Sequence, residues 1–328
     1  MLLAAAITAL LAAAGCGSSS SSGGGGNKLS LVAYSTPQEA YEAIIPAFQK
    51  TSAGRGVKFT QSYGASGDQS RAVAAGLPAD VVALSLEPDV TKLVEGGLVS
   101  PDWNKDKWHG FVTNSAAVFA VRKGNPKNIR TWDDLVKPGV QVVTPNPFSS
   151  GGAKWNIMAA YGAQLEQGKS PAQAQAFLRA LLKNTVVQDK SARDALQTFT
   201  SGKGDVLISY ENEAITAQQK DQALDYVIPD QTILIQNPVA AVKNGNVDKA
   251  KAFIAFLHSA NAQKIYASHG YRSTDPALVD KRKYPTPPGL FTIDKFGGWG
   301  AVNDKFFDPQ NGIVTKIEQG LGVSTAKG

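Results

Sequence analysis

The sequence predicts an α/β protein of two lobes, and three observations lead there. Short apolar segments of strand composition alternate with helical segments along the chain, which is the pattern of a largely parallel sheet. The 328 residues, 43% hydrophobic and 18% charged, suffice for two cores. Strand units resume after each long interruption, as they do when a chain crosses between lobes, here near residues 112–120 and 230–240.

The chain opens with MLLAAAITALLAAAGCG, an apolar run too short to cross a bilayer and ending in small residues, which predicts an export signal. Ala13-Ala14-Gly15-Cys16 reads as a lipobox, in which Cys16 becomes the acylated N-terminus. Cys16 is the only cysteine, so the folded body has no disulfide, no thiolate metal cluster and no cysteine nucleophile. Residues 17–26, GSSSSSGGGG, bury nothing and predict a flexible tether.

Leu29–Tyr34 is a strand, and Ser35-Thr36-Pro37-Gln38-Glu39 starts a helix, with a hydroxyl cap, proline at the first helical position and Glu39 at the third. Tyr41, Ile44, Ile45 and Phe48 follow helical spacing, with Pro46 expected to kink the helix or remove a bond. Val57–Gln61 is a strand, Gly64-Ala65-Ser66-Gly67 a turn, Asp68–Ala75 a helix and Ala79–Leu84 a buried strand.

Strands at Val118–Arg122 and Val140–Thr144 follow. A helix runs from the Ser149-Ser150-Gly151-Gly152 turn to about Glu166. Ala172–Lys183 and Ala192–Thr200 read as helices, Thr185–Val187 as extended, and Val206–Tyr210 as a strand ending at Glu211-Asn212-Glu213. Ile233–Val242 is extended, Val247–Leu257 an amphipathic helix, and the remainder is rich in aromatics and glycine. The expected division is signal and lipobox over 1–16, tether over 17–27, first lobe over 28–115, second lobe over 116–232, and a return with the C-terminal segment over 233–328.

Four segments share one local design, in which small hydroxyl or glycine residues immediately precede or open a helix: Ser35-Thr36, Gly64–Gly67, Ser149–Gly152 and Ser191-Ala192. A helix N-terminus carries unpaired N–H groups and partial positive charge, and small residues let an anion approach them. Each alone is an ordinary cap. Together, at the carboxyl edges of strands in two facing lobes, they are able to aim at one cleft.

The stretches TPNPFSSGGAKWN, SYGASGDQS, FAVRKGNPKNI, GDVLISYENEA and LFTIDKFGGW resemble the periplasmic sulfate-binding proteins of ABC importers, over nearly all of residues 29–300. PNPxSSGGAxWN is the specific signature, while RKGNP is shared more broadly. The resemblance implies a two-lobed periplasmic-binding fold of type II, each lobe a mixed sheet flanked by helices, with the ligand between the lobes.

It also implies ligand contacts at Ser35 (backbone), Ser66 (backbone and hydroxyl), Ser150 (hydroxyl), Gly151 and Gly152 (backbone), Ala192 (backbone) and one side chain. At that last place the family commonly has a tryptophan, and this chain has Tyr210, which accepts as well as donates. Ser35 stands where enteric members have aspartate.

The implied function is capture of sulfate, with thiosulfate as the nearest rival, for an ABC permease and its ATPase. The implied state is an extracytoplasmic monomer held to the membrane only through a lipid on Cys16, with no cofactor and no metal. Molybdate or tungstate binding, or an exported structural lipoprotein that kept the fold and lost the site, are the alternatives. A donor-only cleft suits sulfate, whereas phosphate keeps a proton and calls for a carboxylate. The nearby candidates Asp68, Asp189, Glu211 and Glu213 are expected to be structural, with Lys154 balancing one of them.

Other classes fall away. The formal charge of +6 is spread without a basic run, against nucleic-acid binding. GASGD departs from a nucleophile elbow at Asp68 and has no histidine partner, against a hydrolase. His109, His258 and His269 lack ligand spacing, and no GxxxxGK[ST] run is present. Trp103, Trp108, Trp132, Trp155 and Trp299 are too dispersed for a sugar platform and are expected to pack in cores.

Overall fold

The computed structural model describes residues 26–325. Its first part alternates β1 (Lys28–Tyr34), α1 (Gln38–Gln49), β2 (Lys58–Gly64), α2 (Ser66–Ala74), β3 (Val81–Ala83) and α3 (Glu87–Glu95). β1 pairs in parallel with β2 and with β3. Helices cover both faces, so β1 reads as an apolar run rather than an alternation. Leu29, Leu31 and Ala33 pack with Ile44, Phe48 and Phe253 on one face, and Val32 packs with Val82, Val90 and Leu93 on the other.

β4 (Phe111–Arg122) opens the second part, followed by β5 (Val142–Pro145), α4 (Gly151–Glu166), α5 (Pro171–Lys183), β6 (Thr185–Asp189), α6 (Ala192–Thr200), β7 (Val206–Tyr210), α7 (Glu211–Gln219) and β8 (Leu224–Val227). β9 (Gln231–Ala241) leads back to α8 (Val247–Leu257) and α9 (Ala260–Ser268) on the first lobe. β10 (Gly289–Phe291), α10 (Gly298–Val302) and α11 (Ile313–Gly320) end the chain. This last segment belongs to the second lobe's core, where Phe291, Trp299 and Phe306 join Trp155 and Tyr161.

The strand order β2-β1-β3-β9-β4-β7-β5-β6 explains how the lobes connect. β4 pairs with β9 through Phe111–Ala116 and with β7 through Ala117–Val121, while the far end of β9 pairs with β3. Two long strands therefore serve both lobes. Their antiparallel pairing makes the sheet mixed rather than largely parallel, with parallel pairing at β1–β2, β1–β3, β5–β6, β5–β7 and β9–β10.

At α1 the expected hydroxyl cap is not made. The helix begins one residue later, after Pro37, and the Thr36 hydroxyl instead meets the Tyr271 hydroxyl at 3.3 Å. Pro46 lies inside α1 without ending it. Glu211-Asn212-Glu213, read as the end of a strand, is the first turn of α7. Among the described residues no helix is long and apolar enough to cross a membrane. The signal, Cys16 and nearly all of the tether lie outside the described residues.

Candidate functional site

The carboxyl ends of six strands, β1, β2, β3, β5, β6 and β7, open on one small cavity. Tyr34, Ser35 and Thr36 line it from the end of β1, Gly64, Ala65 and Ser66 from the β2–α2 turn, and Ser85 from beyond β3. The second lobe supplies Ser150 and Gly152 at the start of α4, Ala192 at the start of α6, and Tyr210 at the end of β7.

Three helices thus begin at the cavity wall. Ala65 and Ser150, the residues before α2 and α4, are extended and make no side-chain capping bond. The first N–H groups of those helices have no intrahelical partner and remain available to an acceptor in the cavity. Before α6 the Ser191 hydroxyl accepts from the Asp194 N–H, leaving the Ala192 end of the helix facing the cavity.

No residue lining the cavity is acidic or basic. Burial raises the Tyr210 hydroxyl well above its ordinary value, so it stays neutral and protonated. The carboxylates nearby are engaged elsewhere. Glu211, buried, pairs with Arg272 at 2.6 Å. Glu213 accepts from Ser209 at 3.2 Å and faces Arg193 at 3.4 Å. Asp68 pairs with Arg71 and, at 2.9 Å, with Lys190, and Asp189 accepts from Thr198 at 3.1 Å. Lys154 donates to Asn303 at 2.8 Å and lies over the Phe307 ring.

Ser35, Ser66, Ser150, Gly152, Ala192 and Tyr210 are therefore brought together, and Gly151 is not among them. A Cβ on Gly151 would lie 2.8 Å from Ser85 Oγ and from Leu86 Cγ. That glycine is required by close packing against the other lobe, and it faces a wider groove beside the cavity. The Ser66 hydroxyl also departs from expectation. It donates to Asp89 Oδ2 at 2.7 Å and accepts from the Ser85 N–H at 2.9 Å, so its proton is committed and only its backbone N–H remains for a ligand.

Ser85 is, with Tyr34, a lining residue that sequence reasoning missed. Its hydroxyl meets the Tyr210 hydroxyl at 2.7 Å, and its carbonyl accepts from Trp155 Nε1 at 2.9 Å and Asn237 Nδ2 at 3.2 Å. The signal was present: a small hydroxyl residue just past a buried strand and just before the Glu87-Pro88 helix start, the design shared by the four turns.

The lobes are tied at the cavity rim as well. Arg193, beside Ala192, reaches Glu39 on α1, with Nη2 to Oε2 at 2.7 Å, and Lys220 joins the same carboxylate. Burial alone would raise Glu39, but these hydrogen bonds outweigh it and hold the carboxyl down to about 2.

Residues 29–272 match the family described as bacterial extracellular solute-binding protein. A sulfate-binding protein of Synechococcus elongatus is 42% identical over 90% of this chain and 87% of the relative. A thiosulfate-binding protein of Pseudomonas aeruginosa is 35% identical over 84% of this chain and 88% of its own. The solved sulfate-binding protein SubI of Mycobacterium tuberculosis superposes with a TM-score of 0.84 at 44% identity, covering 86% of this chain and 99% of that one. The chain belongs to the family of the bacterial sulfate- and thiosulfate-binding proteins. Its fold is the type II solute-binding fold, and its relatives are binding proteins rather than enzymes.

Proposed function

We propose that this protein captures sulfate, and thiosulfate with it, between its two lobes and delivers the anion to an ABC importer. The observation that carries this reading is the convergence of helix N-termini, two of them uncapped, on a small cavity that no charged side chain enters. Ser35, Ser66, Gly152 and Ala192 present backbone N–H groups, and Ser150 and the Tyr210–Ser85 pair present hydroxyls. Gly151 acts from behind, by allowing the lobes to close.

Sulfate suits such a set because it is a dianion with acceptors only. Phosphate retains a proton, and backbone N–H groups cannot accept it; an unpaired buried polar group costs about 1–3 kcal/mol. The names of the relatives support the choice of anion, since they include both sulfate- and thiosulfate-binding proteins.

On this reading the protein is a monomeric, non-catalytic receptor on the outer side of the cell membrane, anchored through Cys16 and the Ser/Gly tether. Its lobes divide at about residues 115 and 232, with β4 and β9 as the hinge. Closure positions the Arg193–Glu39 tie, and the closed form is the one presented to the permease.

Calorimetric titration of residues 27–328 after exhaustive dialysis tests it, with sulfate, thiosulfate, molybdate and phosphate in turn. Sulfate or thiosulfate binding tightest, with phosphate weaker, is the expected result. Preference for molybdate, or silence with all four, overturns it.

A further inference from the structure

We propose that Leu86 and Trp155 form the contact that holds the two lobes shut, and so set how long a captured anion stays bound. The inference rests on the anion site and hinge proposed above and names the residues that govern release.

Leu86 follows β3 in the first lobe, yet its side chain packs elsewhere. It is 1% exposed and sits in the second lobe's core, where, among the described residues, only it and Tyr34 come from the stretch 28–115. The seat that receives it is cut into α4. Gly151 and Trp155 lie four residues apart, on one face of that helix. A Cβ on Gly151 would come within 2.8 Å of Leu86 Cγ, so the missing side chain is the space that Leu86 fills. Trp155, in the same cluster, is braced edge-on against Trp299 with ring centroids 4.6 Å apart.

One hydrogen bond fixes the pose. Trp155 Nε1 donates to the Ser85 carbonyl at 2.9 Å, a buried bond between the lobes. Asn237 on β9 donates to the same carbonyl at 3.2 Å. A hinge strand and the second lobe therefore grip the main chain immediately before Leu86. The Leu86 and Trp155 contacts exist only while the lobes meet, since opening passes an apolar side chain and an indole N–H into water. An anion entering the open cleft meets the helix N-termini before these contacts form, so they slow release without speeding entry.

The experiment is stopped-flow fluorescence of the protein mixed with sulfate, in which the concentration dependence of the observed rate gives kon as slope and koff as intercept. Thermal unfolding without sulfate accompanies it. Leu86→Ala should raise koff about tenfold or more, as expected for withdrawing most of a buried leucine side chain, with kon within about threefold. Leu86→Met, which keeps the volume, should bring koff back to within about threefold of the wild type. Trp155→Phe should lose most of the sulfate-induced fluorescence change, because Trp155 is the indole that passes between water and core.

The unfolding temperature separates a closing contact from a permanent core residue. Opening already removes Leu86 from its seat in the free protein, so Leu86→Ala should leave that temperature within about 3 °C, whereas a leucine held permanently in a core would lower it by about 5 °C or more. A fall of that size or failure to fold, koff within about twofold of the wild type, or an undiminished fluorescence change in Trp155→Phe overturns the latch while leaving the sulfate site standing. A wild-type protein that shows no sulfate binding by calorimetry overturns the proposed function together with the latch.

Discussion

Gly152→Ala separates the cavity's role from its contribution to the fold. The added methyl would stand 3.4 Å from Ser150 Oγ, 3.6 Å from Ala192 Cβ and 3.6 Å from Tyr210 Cε1, all ordinary contacts, so the empty protein accommodates it. Gly152 is helical and not at positive φ, and replacing glycine by alanine inside a helix favours folding by up to about 1 kcal/mol.

The same carbon occupies the space between three lining residues where an anion oxygen, about 2.7–2.9 Å from its donors, has to sit. Displacing the anion forfeits at least two charge-assisted hydrogen bonds of about 1.5–3 kcal/mol each, or roughly 10²–10⁴-fold in affinity. The assay is calorimetric titration with sulfate alongside thermal unfolding without ligand. Unfolding temperature held or raised, with affinity collapsed, is expected. Sulfate affinity within about threefold of the wild type would refute the placement of the anion. Gly151→Ala provides the contrast, because its Cβ meets Ser85 and Leu86 at 2.8 Å and pushes the lobes apart.

The remaining predictions come from two titrating residues, Glu39 and His258. Glu39→Gln removes the carboxylate shared by Arg193 and Lys220 across the lobes; sulfate affinity should fall about fivefold, as for a partly exposed pair worth about 1 kcal/mol. The stability Glu39 contributes is full above its ordinary value of 4.5 and lost as pH falls through about 2, so the variant's acid unfolding curve should be flatter in that window. His258 stacks on Trp108 with neither ring nitrogen hydrogen-bonded, and burial lowers it from 6.5 to about 4. Its stabilisation is present above 6.5 and lost as pH falls through about 4, and urea titrations of His258→Phe should show that slope removed.

Much of the fold was legible because strand and helix periodicities were undisturbed: β7, α6 and α8 begin and end where the apolar pattern says. β4 was legible only from Val118, because its first half, Phe111–Ala117, carries Thr113, Asn114 and Ser115. Those polar residues are accommodated by long-range partners, Asn237 for Thr113 and Asn212 for Ser115, which no local pattern announces. α7 was missed for a related reason: its first turn is Glu211-Asn212-Glu213, buried, with the two carboxylates paired to Arg272 and Arg193 from other elements.

At the site, the small residues before helices pointed to turns that line one cavity, since the requirement for bare N–H groups is local. Which hydroxyls remain free is decided by tertiary partners. Ser66 directs its proton to Asp89 on α3, and Tyr210 gains Ser85, a contact between residues 125 positions apart. Gly151 likewise looks interchangeable with Gly152 in sequence and differs only in what faces it across the cleft.

The central claim is that a tetrahedral dianion sits against the starts of α2, α4 and α6. The most direct measurement is a crystal structure of residues 27–328 with selenate, whose selenium is located by anomalous scattering. The account requires one strong peak inside the cavity, with its oxygens within hydrogen-bonding distance of the Ser66, Gly152 and Ala192 nitrogens. A peak in the wider groove beside Lys92 and Lys154, or none while the protein binds selenate in solution, would contradict it.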